Sequence, residues 1–166
     1  MQLKPSHLIA IGAAGVAALS AAIAVPALTT AQTPATTVIT VQERVQTVVQ
    51  DDVPPKAKRQ SVSAGDRLIT RQSLFDAGKR RIGTLYTDCT SVGPTATFPR
   101  LTLLCTATYK LRDGQIVAVG TARFNDDTSE LPVVGGTGAY AGARGTIKTT
   151  KPMKGYDSAD VITING

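Results

Sequence analysis

Histidine is almost absent from this sequence, whose single copy is His7. We expect that residue to be removed with an N-terminal segment. The mature chain would then hold no imidazole general base, no Ser-His or Cys-His nucleophile pair and no histidine metal ligand. This absence excludes most hydrolase mechanisms and most zinc sites, and we expect neither a metal nor another cofactor.

Aromatic residues are also scarce, with no Trp and three Phe. The chain therefore lacks the stacking side chains of a single-strand nucleic-acid binder. The formal net charge is +6, but the basic residues are scattered, with small clusters at 56–59 and 79–81. A basic surface can meet nucleic acid or anionic wall polymers. Together with export, this pattern favours a solvated basic surface and no nucleic-acid partner.

The N-terminal segment has the order of a secretory signal peptide. Lys4 precedes an uncharged apolar run from Leu8 to Ala24, and small residues then offer cleavage after Ala24 or after Ala31. An uncleaved membrane anchor is the rival interpretation. The run is short and rich in Ala and Gly, so it inserts weakly. We predict a signal peptide at 1–31, a secreted, extracellular protein, and no membrane contact beyond export.

Residues 32–63 have the composition of a flexible, low-complexity tether, dominated by Thr, Pro, Gln and Ser. Within them Val38, Val41, Val45 and Val48 fall at helical spacing, but the segment is rich in β-branched residues, which resist isolated helix. A short helix, an extra strand laid on the domain and a partner segment all remain open.

From residue 64 to 166 the sequence predicts short strands separated by regular turns. Residues 100–111 alternate clearly, with one face formed by Leu101, Leu103, Cys105, Ala107, Tyr109 and Leu111. Asp113-Gly114 follows as a strong hairpin signal. The other predicted strands cover residues 67–75, 80–90, 116–124, 130–134, 144–150 and 159–164. The fold class is therefore all-β, and closure into a barrel explains how so many hairpins avoid a bare edge.

The two cysteines, Cys89 and Cys105, predict a disulfide, because an isolated pair in an exported chain favours a bridge over a metal or redox site. If their strands are antiparallel neighbours, the two residues must lie nearly opposite each other. The loop they close corresponds to about 3 kcal/mol in the chain-entropy estimate.

The stretch LPVVGGTGAYAGARG contains a loose match to a dinucleotide-binding motif. Such a motif should open a helix inside a βαβ unit, but later glycines interrupt any helix and a β-rich segment follows. We therefore predict a structural glycine loop with positive φ angles, close backbone approach and a Tyr packed beside the turn. Its residues are Gly135, Gly136, Gly138, Tyr140, Gly142 and Gly145.

Several segments together resemble the bacterial allene oxide cyclase-like barrel proteins: GDRLITRQSLFDAGKRRIG, the cysteine pair, TYKLRDGQIVAVG and LPVVGGTGAYAGARGTI. That family is similar in fold to plant allene oxide cyclases and, more distantly, to dirigent proteins. The resemblance implies an eight-stranded antiparallel β-barrel of the allene oxide cyclase/dirigent-like type, preceded here by the signal peptide and tether. It also implies a central, mostly apolar cavity and a homotrimer.

The resemblance assigns no catalytic residue. It implies a cavity Glu and an Asn-held water for the plant cyclases, but this chain has only Glu43, in the predicted tether, Glu130, Asn125 and Asn165, and none matches a catalytic motif. Candidate cavity residues are Tyr109, Phe124 and Glu130. The alternative for the two aromatics is core packing, and for Glu130 a solvated loop acid.

Three hypotheses for function follow. The first is a secreted barrel that binds a small apolar molecule and guides cyclisation or coupling by shape, as an isomerase or dirigent-like protein. The second is a non-enzymatic extracellular binding or structural module on a tether. The third is a binder of wall polymer or polyanions. The interior side chains discriminate between the first two: two or more acids there favour an enzyme, and a wholly apolar lining favours a binder.

Overall fold

The computed structural model describes residues 35–53, 61–93, 96–97, 100–123, 126–151 and 157–165. The predicted signal peptide and its cleavage sites lie outside these residues. Ten strands are present in the described part: β1 (Thr36–Asp51), β2 (Ser61–Val62), β3 (Arg67–Phe75), β4 (Arg81–Ser91), β5 (Ala96–Thr97), β6 (Thr102–Leu111), β7 (Gly114–Arg123), β8 (Thr128–Gly138), β9 (Arg144–Thr150) and β10 (Ser158–Asn165).

Eight of these strands close into a barrel in the order β1-β10-β9-β8-β7-β6-β4-β3, and all neighbours are antiparallel. The short strands β2 and β5 form a separate two-stranded sheet. Closure gives each barrel strand a partner on both sides and so removes the exposed edges of an open sheet. The predicted all-β, eight-stranded antiparallel barrel is confirmed.

Strand β1 corrects the predicted boundary between tether and barrel at residues 63 and 64. Thr36–Asp51 is a full member of the barrel and lies between β10 and β3. Its inward positions alternate, with Ile39, Val41 and Glu43 more buried than their neighbours. The helical spacing of its valines was misleading, because β-branched residues fit a pleated, half-buried surface better than a helix. Of the three interpretations left open, that of an added strand matches the structure.

The alternation predicted for residues 100–111 is confirmed. In β6 the positions from Leu103 to Tyr109 that share the predicted face are buried, and those between them are more exposed. The hairpin that follows pairs Leu111 with Gly114, so Arg112 and Asp113 form its two-residue turn. The tight turn fixes the register of β6 against β7 along the whole length of both strands.

The interior contains two apolar clusters. The main cluster fills most of the barrel, and its largest members include Leu74, Leu85, Ile116, Ile147 and Ile162. A smaller one gathers Val62, Cys89, Leu101, Leu103 and Cys105. Among the residues described, no helix has the length and apolar character needed to cross a bilayer.

The two ends of the barrel differ in their connections. Short turns at 76–80, 112–113 and 139–143 join strands at one end, which we call the turn end. The connections that follow β1, β4, β7 and β9 lie at the other end, which we call the loop end.

Candidate functional site

The strand register identifies which side chains face the barrel lumen. Thr70 of β3 pairs with Val48 on one side and Thr87 on the other, and the row continues through Ala107 to Ala118. Directly paired residues share one face of a sheet, and both alanines belong to the core, so this whole row is internal. Val48 is nevertheless 56% exposed, and both threonines are half-buried. The row is therefore open to solvent at its β1 end and closed at the alanines.

Tyr109 crosses the lumen below that row. It lies on β6, and its hydroxyl donates a hydrogen bond to Oδ2 of Asp160 on β10. In the eight-stranded ring these two strands are four places apart in either direction, so they stand on opposite walls. Both residues are almost completely inaccessible to water, at 2% and 0% exposure. The Tyr109 side chain thus spans the lumen and connects β6 with β10.

Glu43 completes a cluster of polar groups on the wall around Asp160. It lies on β1, 3% exposed, opposite Ser158 of β10, and the Ser158 hydroxyl donates to Glu43 Oε2. The backbone N–H of Asp157 donates to the Glu43 carbonyl at 2.9 Å. These bonds fix the start of β10 against β1. We call Glu43, Tyr109, Ser158 and Asp160 the lumen cluster.

The lumen cluster brings two carboxyl groups together in a dry environment. Burial raises the pKa of Glu43 well above its usual value, and hydrogen bonding with Asp160 and the charge of Asp160 raise it further. Two neighbouring carboxylates cannot both be ionised at low cost in a dry site, so one of them holds a proton. The direction of the shift places that proton on Glu43. Burial likewise raises the pKa of Tyr109, which therefore stays a neutral donor.

Unsatisfied oxygens remain in this part of the lumen. Within the described part of the chain, Glu43 Oε1 and Asp160 Oδ1 are buried without a hydrogen-bond partner, and so is Oε1 of Gln72, which lies in the same register row as Tyr109. Such orphans are costly unless a proton, a water or a ligand satisfies them. Each is therefore a point at which a bound molecule could gain a hydrogen bond.

The candidates from the sequence fall in different places. Tyr109 lies inside the barrel, in the lumen cluster. Glu130 is exposed on β8, where it lines a surface depression of about 410 Å³ together with Arg123 and Asp126, and not the lumen cluster. Phe124 lies outside the described residues.

Sequence reasoning missed both acids of the cluster. Glu43 was assigned to the tether, although it stands two residues from Val41, in phase with the buried face of a strand. Asp160 stands in phase with Ile162 and Ile164, which are both buried. A charged residue at an inward position of an apolar strand was the available signal, because such groups are rarely buried without a role.

The glycine loop is divided between two strands and a turn. Gly135, Gly136 and Gly138 end β8, Gly142 lies in the turn and Gly145 belongs to β9. A Cβ on Gly136 would come within 2.4 Å of the Tyr140 carbonyl oxygen, and Gly138 has a φ of +62°. Side chains at these positions would clash or be strained. Tyr140 itself packs against the main core cluster.

The structure contains the predicted disulfide between Cys89 and Cys105, which pair directly across β4 and β6 with their Cα atoms 4.0 Å apart. Both cysteines belong to the smaller apolar cluster. Within the described ranges, no three His, Cys, Asp or Glu side chains gather as a metal-binding group would require. The chemistry that the lumen cluster can support is that of a protonated acid, a carboxylate and a phenol.

Comparison with known proteins places this geometry in context. The family described as allene oxide cyclase barrel like domain matches residues 36–162. Among solved structures, a pyocyanin demethylase is similar with a TM-score of 0.65 and 20% identity, over 78% of this chain and 100% of its own. AbnU, an exo-specific intermolecular Diels-Alderase, is similar with a TM-score of 0.61 and 18% identity, over 80% of this chain and 99% of its own. The pterocarpan synthase dirigent protein PsPTS1 is similar with a TM-score of 0.60 and 16% identity, over 80% of this chain and 95% of its own. None of the curated proteins matches the sequence.

Proposed function

We propose that this chain, which belongs to the family of allene oxide cyclase barrel like domains, binds a small, mainly apolar molecule in its lumen and guides a cyclisation or coupling reaction there. The observation that carries the proposal is the lumen cluster: a protonated Glu43 beside Asp160, with Tyr109 as a second donor. Two acids in the interior favour an enzyme over a passive binder.

The apolar part of the substrate would lie in the solvent-accessible region of the lumen near Val48, Thr70 and Thr87. The methyl groups of these side chains offer apolar contact, and the hydroxyls of Thr70 and Thr87 are already hydrogen-bonded to each other. A rigid wall of this kind restricts a flexible chain to a few folded conformers, which lowers the entropy cost of ring closure.

The neutral carboxyl of Glu43 would act as a hydrogen-bond donor to a carbonyl or epoxide oxygen of the substrate. As negative charge develops on that oxygen, a donor fixed in a dry site stabilises it more than water does. Asp160 keeps the proton on Glu43, because two adjacent carboxylates cannot both be ionised at low cost. An intramolecular cyclisation of this kind neither gains nor loses atoms, so the proton returns to Glu43 at the end.

The test uses a carbonyl-bearing triene that closes slowly in buffer by [4+2] cycloaddition. We expect the protein to accelerate closure and to favour one stereoisomer, and Glu43→Gln to lower the rate by roughly 10- to 100-fold, because an amide is a weaker donor than a carboxylic acid. Glu130→Gln is the matched control, since that glutamate is exposed on β8. Equal rates for Glu43→Gln and the unaltered protein would show that Glu43 has no part in the reaction.

A non-enzymatic binding or structural module is the alternative function. The observation that favours it is the closure of the lumen cluster, in which Glu43, Tyr109 and Asp160 are nearly inaccessible to water. A neutral apolar fluorophore, N-phenyl-1-naphthylamine, separates the possibilities. Thr70→Phe, which fills the lumen, should abolish its binding, whereas Thr108→Phe on the neighbouring outward row of β6 should not. Lumen binding of the fluorophore without acceleration of the triene cyclisation would support the module.

We also propose that the protein acts outside the cytoplasm, after cleavage of its N-terminal segment, and that its barrels assemble as trimers. The signal-like pattern at 1–31 and the disulfide support export, because disulfides persist in oxidising compartments. Mass spectrometry of the exported protein should give an N-terminus after Ala24 or Ala31, and native mass spectrometry three copies. An intact N-terminus or a monomer would contradict the respective proposal.

A further inference from the structure

We infer that the turn end carries a second small-molecule site, separate from the lumen cluster, which binds an amphiphilic carboxylate: an apolar tail with one negative charge. A groove of about 620 Å³ opens there, within the size range of ligand pockets. It is lined by Ile39, Arg80, Arg81, Ile82, Leu111, Arg112, Asp113 and Tyr140.

Three arginines stand around the groove, and they differ in how their charges are compensated. Arg80 is bound to Asp76 through Nε at 2.9 Å and Nη2 at 2.8 Å, and Arg112 contacts Asp113 at 3.1 Å. Arg81 donates only to the hydroxyl of Thr84, at 3.1 Å. Over the part of the chain that the structure describes, no carboxylate forms a salt bridge with Arg81. Its guanidinium therefore has an uncompensated charge and free donors for a ligand carboxylate.

A β-bulge places Arg81 beside an apolar floor. Leu74 pairs with Gly83 but Phe75 pairs with Arg81, so Ile82 is an extra residue in β4. Both Arg81 and Ile82 line the groove. Ile82 also packs on the main core cluster, as do the other two aliphatic residues of the floor, Ile39 and Leu111. The bulge thus puts a cation and an apolar surface next to each other, which is the arrangement that an amphiphile needs.

Tyr140 forms the side of the groove next to the glycine loop. It is half-buried, and burial and the charge of Asp113 raise its pKa, so the phenol is a neutral donor. The Ala139 N–H donates to the Asp113 carbonyl at 2.8 Å, which fixes the loop against the β6–β7 turn. The glycine loop therefore contributes a second donor to the lining of the groove, a role that its sequence did not suggest.

The charge of the lining selects the ligand. Because Arg80 and Arg112 are each paired with an aspartate, Arg81 is the one uncompensated cation among the described residues of the lining, which matches a single carboxylate better than the two charges of a phosphate monoester. The groove is also separated from the lumen cluster. Along β1, Ile39 lines the groove and pairs with Ile162, and Val41 lies between Ile39 and Glu43. Val41 and Ile162 are both fully buried. The inference consequently does not depend on the proposed function of the lumen.

The test is an NMR titration of the protein with octanoate, which follows the amides of Ile82, Leu111 and Tyr140. We expect saturable shifts at these amides, and Arg81→Gln should weaken binding by roughly tenfold or more, as expected for a lost charge-assisted hydrogen bond. Arg123→Gln removes the same charge from the exterior of β7 near the loop end and should leave the affinity unchanged.

Further arms identify what is recognised. Octanoate should bind more tightly than 1-octanol, which lacks the charge, than acetate, which lacks the tail, and than octyl phosphate, which is a dianion above neutral pH. Tyr109→Phe should not alter octanoate binding. Equal affinity for octanoate and 1-octanol, an equal loss in Arg123→Gln, or octanoate shifts confined to amides of the lumen would each overturn the inference. So would Arg81-dependent binding to anionic phosphatidylglycerol vesicles with no binding of free octanoate.

Discussion

Asp66 and Glu43 are two acids with almost no exposure to water, 2% and 3%, whose pKa values shift in opposite directions. Asp66 accepts hydrogen bonds from the backbone N–H groups of Ser63 at 2.8 Å and Val53 at 2.9 Å. Those bonds, led by the one from Ser63, lower its pKa. Among the described residues, Glu43 accepts a side-chain hydrogen bond only from the Ser158 hydroxyl; it faces Asp160, and its pKa is raised.

The difference shows that burial alone does not determine the charge of an acid; the groups around it do. Asp66 is surrounded by donors and stabilises the connection between β1 and β3, which its side chain joins at both ends. Its backbone also accepts from the Ser91 N–H at 2.8 Å, at the end of β4. Glu43 has a neighbouring acid and few donors, the pattern found in sites that handle protons. The first acid supports the fold, and the second is available for chemistry.

The largest effect on stability should follow from removing the donor to the second acid of the lumen cluster. Tyr109→Phe removes the donor to Asp160 Oδ2 and leaves that buried oxygen without a hydrogen bond. We expect this change to lower the free energy of unfolding by about 3 kcal/mol. Urea denaturation measures this loss. If Tyr109 instead only fills space, the loss will be well below 1 kcal/mol.

A double-mutant cycle attributes the loss to the bond across the lumen. Asp160→Asn in the Tyr109→Phe background should cost less than in the unaltered protein, because the charge that needs the donor has been removed. Tyr86→Phe is the matched control: Tyr86 is largely exposed on the outer face of β4, and its loss should be close to zero. Additive effects in the cycle would contradict a direct bond between the two side chains.

Asp66→Asn should have the next largest effect, a loss of about 2 kcal/mol near neutral pH, because an amide accepts fewer and weaker hydrogen bonds from the two N–H groups. The folded pKa of Asp66 is lowered. Its contribution is therefore present above the unfolded pKa, about 3.9, and is lost as pH falls through the lower folded value. The free energy of unfolding of Asp66→Asn should therefore fall less between neutral and acid pH than that of the unaltered protein.

Asp88→Asn provides the comparison for that experiment. Asp88 forms a salt bridge with Arg67, but both side chains are nearly half exposed. Pairs of that kind contribute about 0–1 kcal/mol, so the control should change stability little at any pH. Similar losses of stability in Asp66→Asn and Asp88→Asn would show that the buried hydrogen bonds of Asp66 contribute no more than a surface salt bridge.

The fold could be predicted from the sequence because its determinants are local. Alternation in 100–111, the Asp113-Gly114 signal and the glycine loop each fix a strand, a turn or a bend within a few residues. Strand β1 was harder: its partners β3 and β10 are distant in sequence, and only pairing with both makes a polar, valine-rich segment a strand.

The candidate site could be predicted only in part, for the same physical reason. Tyr109 was placed inside the barrel from the alternation of its own strand. Its contact with Asp160, however, spans 51 residues and the whole lumen, and no local pattern encodes which residues of opposite walls meet. The Glu43–Asp160 pair depends on the register of β1 against β10, which closes the barrel and is set by every other strand.

The smallest effect, and the sharpest test of the comparison, is expected for Glu43→Gln. At pH 5 the folded acid is protonated, and glutamine is likewise neutral and of nearly the same size, so stability should change by less than about 0.5 kcal/mol. The folded pKa is raised, so the contribution of Glu43 is complete below the unfolded pKa, about 4.3, and is lost as pH rises toward the folded value. The unaltered protein should therefore lose about 1 kcal/mol or more relative to the variant between pH 5 and pH 7. The control Glu130→Gln should show the same dependence of stability on pH as the unaltered protein. If Glu43→Gln shows that dependence too, Glu43 is ionised like Asp66.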